Sequence, residues 1–137
     1  MTTEAFGRLI RPRGAAMAAE LAAACAELAA HLRAAGAGPR TIARAELVLE
    51  ELALNALRHG GAAEVALSAW LGPAGWMLRL EDAGLAFDPS RPLAAPPGAG
   101  EGQGGLGLAL VRRTAQAVHH ARLPEGRNRV EVLLPPE

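Results

Sequence analysis

The chain has 137 residues, half of them apolar, which suits one domain large enough to bury its own core and rules out a disordered composition. Fourteen basic residues balance fourteen acidic ones, mixed along the sequence, so no electrostatic footprint for nucleic acid is present. All fourteen cations are arginine, and that absence of lysine excludes the P-loop, the strand lysine of the protein-kinase fold and Schiff-base chemistry.

No apolar run approaches membrane-spanning length, and "MTTEAFGRLIRPRG" lacks the continuous apolar segment of a secretory signal. Cys25 is the only cysteine, so a disulfide framework and a thiolate metal site are both excluded. A cytoplasmic protein is the expectation.

Taken in chain order, "EAFGRLIRP" predicts a strand ended by Pro12. From Gly14 to Ala35 an Ala-rich run places Met17, Leu21, Ala24 or Cys25, Leu28 and Leu32 on one stripe, an amphipathic helix stopped by Gly36, Gly38 and Pro39. Thr41 to His59 predicts a second helix closed by Gly60-Gly61, with Ala45, Leu49, Leu52, Ala53, Ala56 and Leu57 as its core stripe. "EVALSAWL" and "GWMLRLED" alternate with period two around Gly72-Pro73-Ala74, a hairpin. Residues 89–105 are too rich in Pro, Gly and Ala for a regular element. A short helix from about Leu106 to Val118 follows, and "HHARLP" and "RVEVLLP", split by Glu125-Gly126, close the chain as a second hairpin.

The order β-α-α-β-β-loop-α-β-β defines a single α+β domain over residues 1–137, a two-layer sandwich with helices on one face of a mixed, mostly antiparallel sheet. The same order disposes of a tempting motif. Gly102-Gln103-Gly104-Gly105-Leu106-Gly107 spells G-x-G-x-x-G, but a dinucleotide fingerprint must follow a strand and open a βαβ unit. Here it follows a Pro-rich loop and precedes a hairpin.

Three constellations carry chemistry. Glu51 and Asn55 lie four apart, one turn along a helix, in "RAELVLEELALNALRHGG". Asn is a poor helix-interior residue, and beside a carboxylate its amide oxygen can hold a hard cation while the carboxylate takes a proton. An isolated E-x-x-x-N is most often a solvated polar face; Glu46 and Glu50 are read as surface charges. Asp82-Ala83-Gly84 ends a strand, where a carboxylate can accept from an exocyclic amine and glycine admits a flat ligand, although Asp and Gly are also ordinary strand exits. The glycines before Leu106 open a helix, and free amides with a helix N-terminus make a phosphate site without lysine; a plain linker is the alternative.

Their order brings in a family. E-x-x-x-N, then D-x-G, then G-x-G-G-L-G-L resembles the N, G1 and G2 boxes of the GHKL ATPase superfamily, which includes gyrase and the histidine kinases, and whose shared Bergerat sandwich has the element order above. The likeness runs from about Phe6 to Leu134 and, in this short chain, is greatest to the anti-sigma factor serine/threonine kinases of partner-switching systems. The resemblance implies ATP or ADP with Mg²⁺ as ligands. It implies Glu51 as general base, Asn55 as the Mg²⁺ ligand, and Asp82 on the adenine amine with Gly84 beneath the base. Gly102, Gly104, Gly105, Leu106 and Gly107 would line the phosphates, with residues about 89–105 as a lid over them. His59 stands where the family often has His, a helix-end cap being its other role. Two positions depart from the pattern: Ala86 replaces the second glycine of D-x-G-x-G, and Asn128 stands where many relatives put a threonine beside the adenine.

The implied partners are an anti-anti-sigma (STAS-type) protein as phosphoacceptor and a sigma factor as binding target, with a homodimer and neither nucleic acid nor membrane. Two alternatives differ in class: an ATP-dependent binding module without transfer activity, and a histidine-kinase catalytic domain. The latter is disfavoured, because one helix precedes residue 40 and "AAHLRAAG" around His31 lacks the acid that usually follows an acceptor histidine.

Overall fold

The structure, a computed structural model, describes residues 5–14, 16–86 and 105–137, with residues 105–107 described by their backbone alone. The expected lid, together with Gly102 and Gly104, therefore lies outside the described residues, apart from Gly105 at its end.

Strand β1 (Phe6–Ile10) leads into helix α1 (Met17–Ala34). Leu21, Ala24, Leu28 and Leu32 are buried at spacings of three and four, so the predicted stripe is the face that packs inward. Arg8 ties strand to helix by bonding the carboxylates of Glu20 at 2.7 Å and Glu27 at 3.0 Å. A Schellman motif ends α1: Gly36, at φ 90°, donates to Arg33 O and Ala37 to Leu32 O.

Helix α2 (Pro39–Leu54) begins two residues before the expected Thr41, because Pro39 is at home in a first helical turn, where its missing N–H costs nothing. Gly38 precedes it and has no side chain to cap the helix. The cap comes from Glu137, whose carboxylate accepts from the N–H groups of Arg40 (3.0 Å) and Thr41 (2.9 Å) and from the Thr41 hydroxyl (2.8 Å). Ala45, Leu49, Leu52, Ala53, Ala56 and Leu57 are all buried, as the helical period predicts.

Strands β2 (Val65–Gly72) and β3 (Gly75–Asp82) form the first hairpin. Helix α3 (Gly105–Thr114) then precedes β4 (Ala117–Leu123) and β5 (Arg127–Leu133). The expected α3 ran to Val118 and is corrected here. The chain leaves the helix after Thr114, Gln116 N–H donates to Leu133 O at 2.8 Å, and Val118 pairs with Val132 in the sheet. The strand order is β1-β2-β3-β5-β4, and all four pairings are antiparallel.

Alternate residues of the central strands are buried: Val65, Leu67 and Ala69; Leu78 and Leu80; Val130 and Val132. They meet the stripes of α1 and α2 together with Leu108 and Val111 of α3 in one core. The architecture is thus the expected two-layer α+β sandwich. His31 is a core-edge residue, its ring 5.3 Å from Phe6 and 6.3 Å from Trp76 between centroids. Among the described residues no helix is long and apolar enough to cross a membrane.

Candidate functional site

The predicted second helix does not stay α-helical to His59. After Leu54 it widens into a π-helical turn, Asn55–His59, in which Gly60 N–H donates to Asn55 O at 2.9 Å. Such turns are rare and cluster at functional sites. This one starts at the asparagine that the sequence marks as out of place. The Asn55 N–H donates to the carbonyls of Glu51 and Leu52, so Glu51 sits one turn back on the same helical path. Both side chains are half-buried, and His59 at the far end of the turn is exposed.

The D-x-G turn is stitched to this helix end. Leu85 N–H donates to Gly60 O at 2.9 Å, which brings the exit of β3 against the exit of α2. Gly84 is required at the junction: a Cβ there would stand 2.6 Å from Gly60 O and 2.9 Å from Asp82 Oδ1. That gives the glycine a reason independent of any ligand. Ala86 follows with an ordinary backbone, since no non-glycine residue among those described has positive φ. The missing second glycine is accommodated without strain.

Asp82, Asn128 and Arg122 stand in one row across β3, β5 and β4, because the register pairs Asp82 with Asn128 and Asn128 with Arg122. Asp82 is 5% exposed and Asn128 is fully buried. Burying such groups is costly unless they are hydrogen-bonded, and both are. Asp82 Oδ1 accepts from Gly84 N–H at 2.7 Å and from Asn128 Nδ2 at 3.2 Å. Asn128 Nδ2 also donates to Leu85 O at 2.9 Å and faces Gly84 O at 3.4 Å. Arg122 Nη1 donates to Asn128 Oδ1 at 3.1 Å and to Gly84 O at 3.0 Å. Among the described residues every hydrogen bond to Asp82 falls on Oδ1, leaving Oδ2 to accept from a ligand.

The Asn128 carboxamide is therefore engaged with Asp82 and the turn carbonyls. Arg122 is a member of this cluster that the sequence reading missed; the Glu125-Gly126 turn was the one signal that could have counted it opposite Asn128. Gly105, Leu106 and Gly107 form the first turn of α3, whose following residues Leu108 and Val111 anchor it in the core.

The donor set bears on what the site can hold. Among the described residues no three of His, Cys, Asp and Glu gather as a metal site. Asn55 and Glu51 offer hard oxygen donors only, which fits a cation that takes most of its ligands from phosphate and water, as Mg²⁺ does.

This arrangement, a five-stranded antiparallel sheet under helices with a carboxylate at the end of β3 beside a helix-end asparagine, defines the class. The chain belongs to the family of histidine kinase-like ATPase domains, whose sequence profile matches residues 14–133. These GHKL-type domains bind ATP or ADP and serve kinases and ATPases. A chain of the SiaB–SiaC complex from Pseudomonas aeruginosa is similar in fold, with a TM-score of 0.55 and 18% identity over 96% of this chain and 88% of that one. No curated protein matches the sequence.

Proposed function

We propose that the chain is an ATP-binding regulatory serine/threonine kinase, acting on an anti-anti-sigma (STAS-type) partner and binding a sigma factor when that partner is absent. The observation that carries it is the 2.9 Å bond from Leu85 N–H to Gly60 O. It couples the turn holding Asp82 to the turn holding Asn55, so an adenine-binding carboxylate and a metal-binding amide belong to one site. Family membership supports the nucleotide, and the similar fold in a complex of two proteins supports a protein partner.

In this reading Asp82 Oδ2 accepts from the adenine amine, and the amides opening α3 meet the phosphates. Mg²⁺ held with Asn55 would neutralise phosphate charge. Glu51 takes the proton of a serine or threonine hydroxyl as its oxygen bonds to the terminal phosphorus and the bond to ADP breaks. His59 is exposed at the end of the turn.

Phosphate transfer from labelled ATP to small partners encoded nearby tests the proposal. Glu51→Gln should keep nucleotide affinity within a few-fold while transfer falls by roughly 10²–10⁴. If the wild type binds ATP and labels no partner, a binding module without transfer activity is the correct class.

A further inference from the structure

Asn128 is a buried carboxamide beside a buried carboxylate, and such a group can be turned either way round. One way, its nitrogen donates to Asp82. The other way, its oxygen opposes the carboxylate oxygen across the same 3.2 Å, acceptor against acceptor. Leu85 O, 2.9 Å from the same nitrogen, is a second acceptor that calls for the first way, and the far side of the amide agrees. Arg122 carries donors only, and its Nη1 lies 3.1 Å from Asn128 Oδ1, so oxygen must stand there. His120 Nε2 lies 3.4 Å from the same oxygen, too long to fix it alone. The same Nη1 holds Gly84 O at 3.0 Å and thereby the turn that follows Asp82.

We infer that Arg122, acting through Asn128, is the positioning residue that presents Asp82 Oδ2 to a purine amine, and so sets the preference for a purine that carries one. The inference rests on the nucleotide site proposed above. With Oδ1 occupied by Gly84 N–H and Asn128 Nδ2, Oδ2 is, among the described residues, the atom left to a ligand. Arg122 never touches the nucleotide in this account. Its guanidinium is exposed on edge strand β4, so removing it opens no core.

The test compares ATP with ITP, whose purine carries a carbonyl in place of the amine and so sets an acceptor where Asp82 needs a donor. Titration calorimetry is run on the wild type, Arg122→Ala, Arg122→Lys and Asp82→Ala. Arg122→Ala should weaken ATP roughly tenfold, the scale of a lost hydrogen bond to a charged group, while ITP stays within about twofold. Arg122→Lys, which keeps a donor, should fall between. A structural role alone would weaken both nucleotides together or neither, and either result overturns the inference while Asp82→Ala still abolishes the preference for ATP. If Asp82→Ala leaves that preference intact, the nucleotide site itself is misassigned and the role of Arg122 falls with it.

Discussion

Gly84 and Gly60 meet backbone to backbone, with no room for a methyl group between them: a Cβ on Gly84 would lie 2.6 Å from Gly60 O. The contact joins the two halves of the site. Gly84→Ala must push the β3 turn away from the π-helical turn, breaking the Leu85–Gly60 bond and moving Asp82 relative to Asn55. The expected cost is roughly 1–3 kcal/mol of stability, together with weakened nucleotide binding. Urea denaturation followed by circular dichroism reads the first. An unchanged midpoint would mean that the junction is looser than the described backbone.

Acid should unfold the protein partly through two carboxylates. Glu20 is held below the usual carboxylate range by its bond from Arg8 and then by the Arg11 N–H; Glu137 is held low by the N–H groups of Thr41 and Arg40. A depressed folded pKa contributes stability that is whole above the unfolded value of about 4.3 and is lost as pH falls through the folded one. The double variant Glu20→Gln, Glu137→Gln should therefore melt lower than wild type at pH 7, with the gap closing as pH falls below about 4.3. Melting curves across that window check it, and parallel curves would contradict it.

Cys25 should be a slow thiol. It lies in a groove of about 390 Å³ between α1 and α2, and burial, then the charges of Glu46 and Glu50, push its pKa up to about 11. At pH 8 its thiolate fraction is on the order of a hundredfold below that of an ordinary thiol, and alkylation by iodoacetamide should slow accordingly. Denaturant should restore the ordinary rate. Fast labelling of the folded protein would place the thiol in open solvent.

Much of this was legible in one dimension, and the exceptions share a cause. The stripe from Ala45 to Leu57 and both hairpins followed from periods of 3.6 and two, which burial imposes directly on sequence. Val118 continues the helical spacing of Leu108 and Val111, yet it lies in β4, because β5 offers Leu133 O to the Gln116 N–H and a sheet position opposite Val132. Long-range pairing overrides local period there. The π-helical turn ends where Gly60 meets Gly84, and the α2 cap comes from Glu137, 96 residues away from Thr41. Arg122 could be counted opposite Asn128 once the turn was fixed, but no pattern tells that a guanidinium reaches across two strands to a carbonyl at Gly84.

The central claim is that Asp82 and Asn55 belong to one ATP site, and calorimetric titration of Mg·ATP into wild type, Asp82→Asn and Asn55→Ala tests it most directly. In Asp82→Asn the substituted carboxamide must keep its oxygen toward Gly84 N–H and Asn128 Nδ2. Its NH₂ then points at the adenine amine, donor against donor, and affinity should fall at least about tenfold with or without metal. Asn55→Ala should weaken binding only when Mg²⁺ is present. Unchanged affinity in both variants would contradict the account.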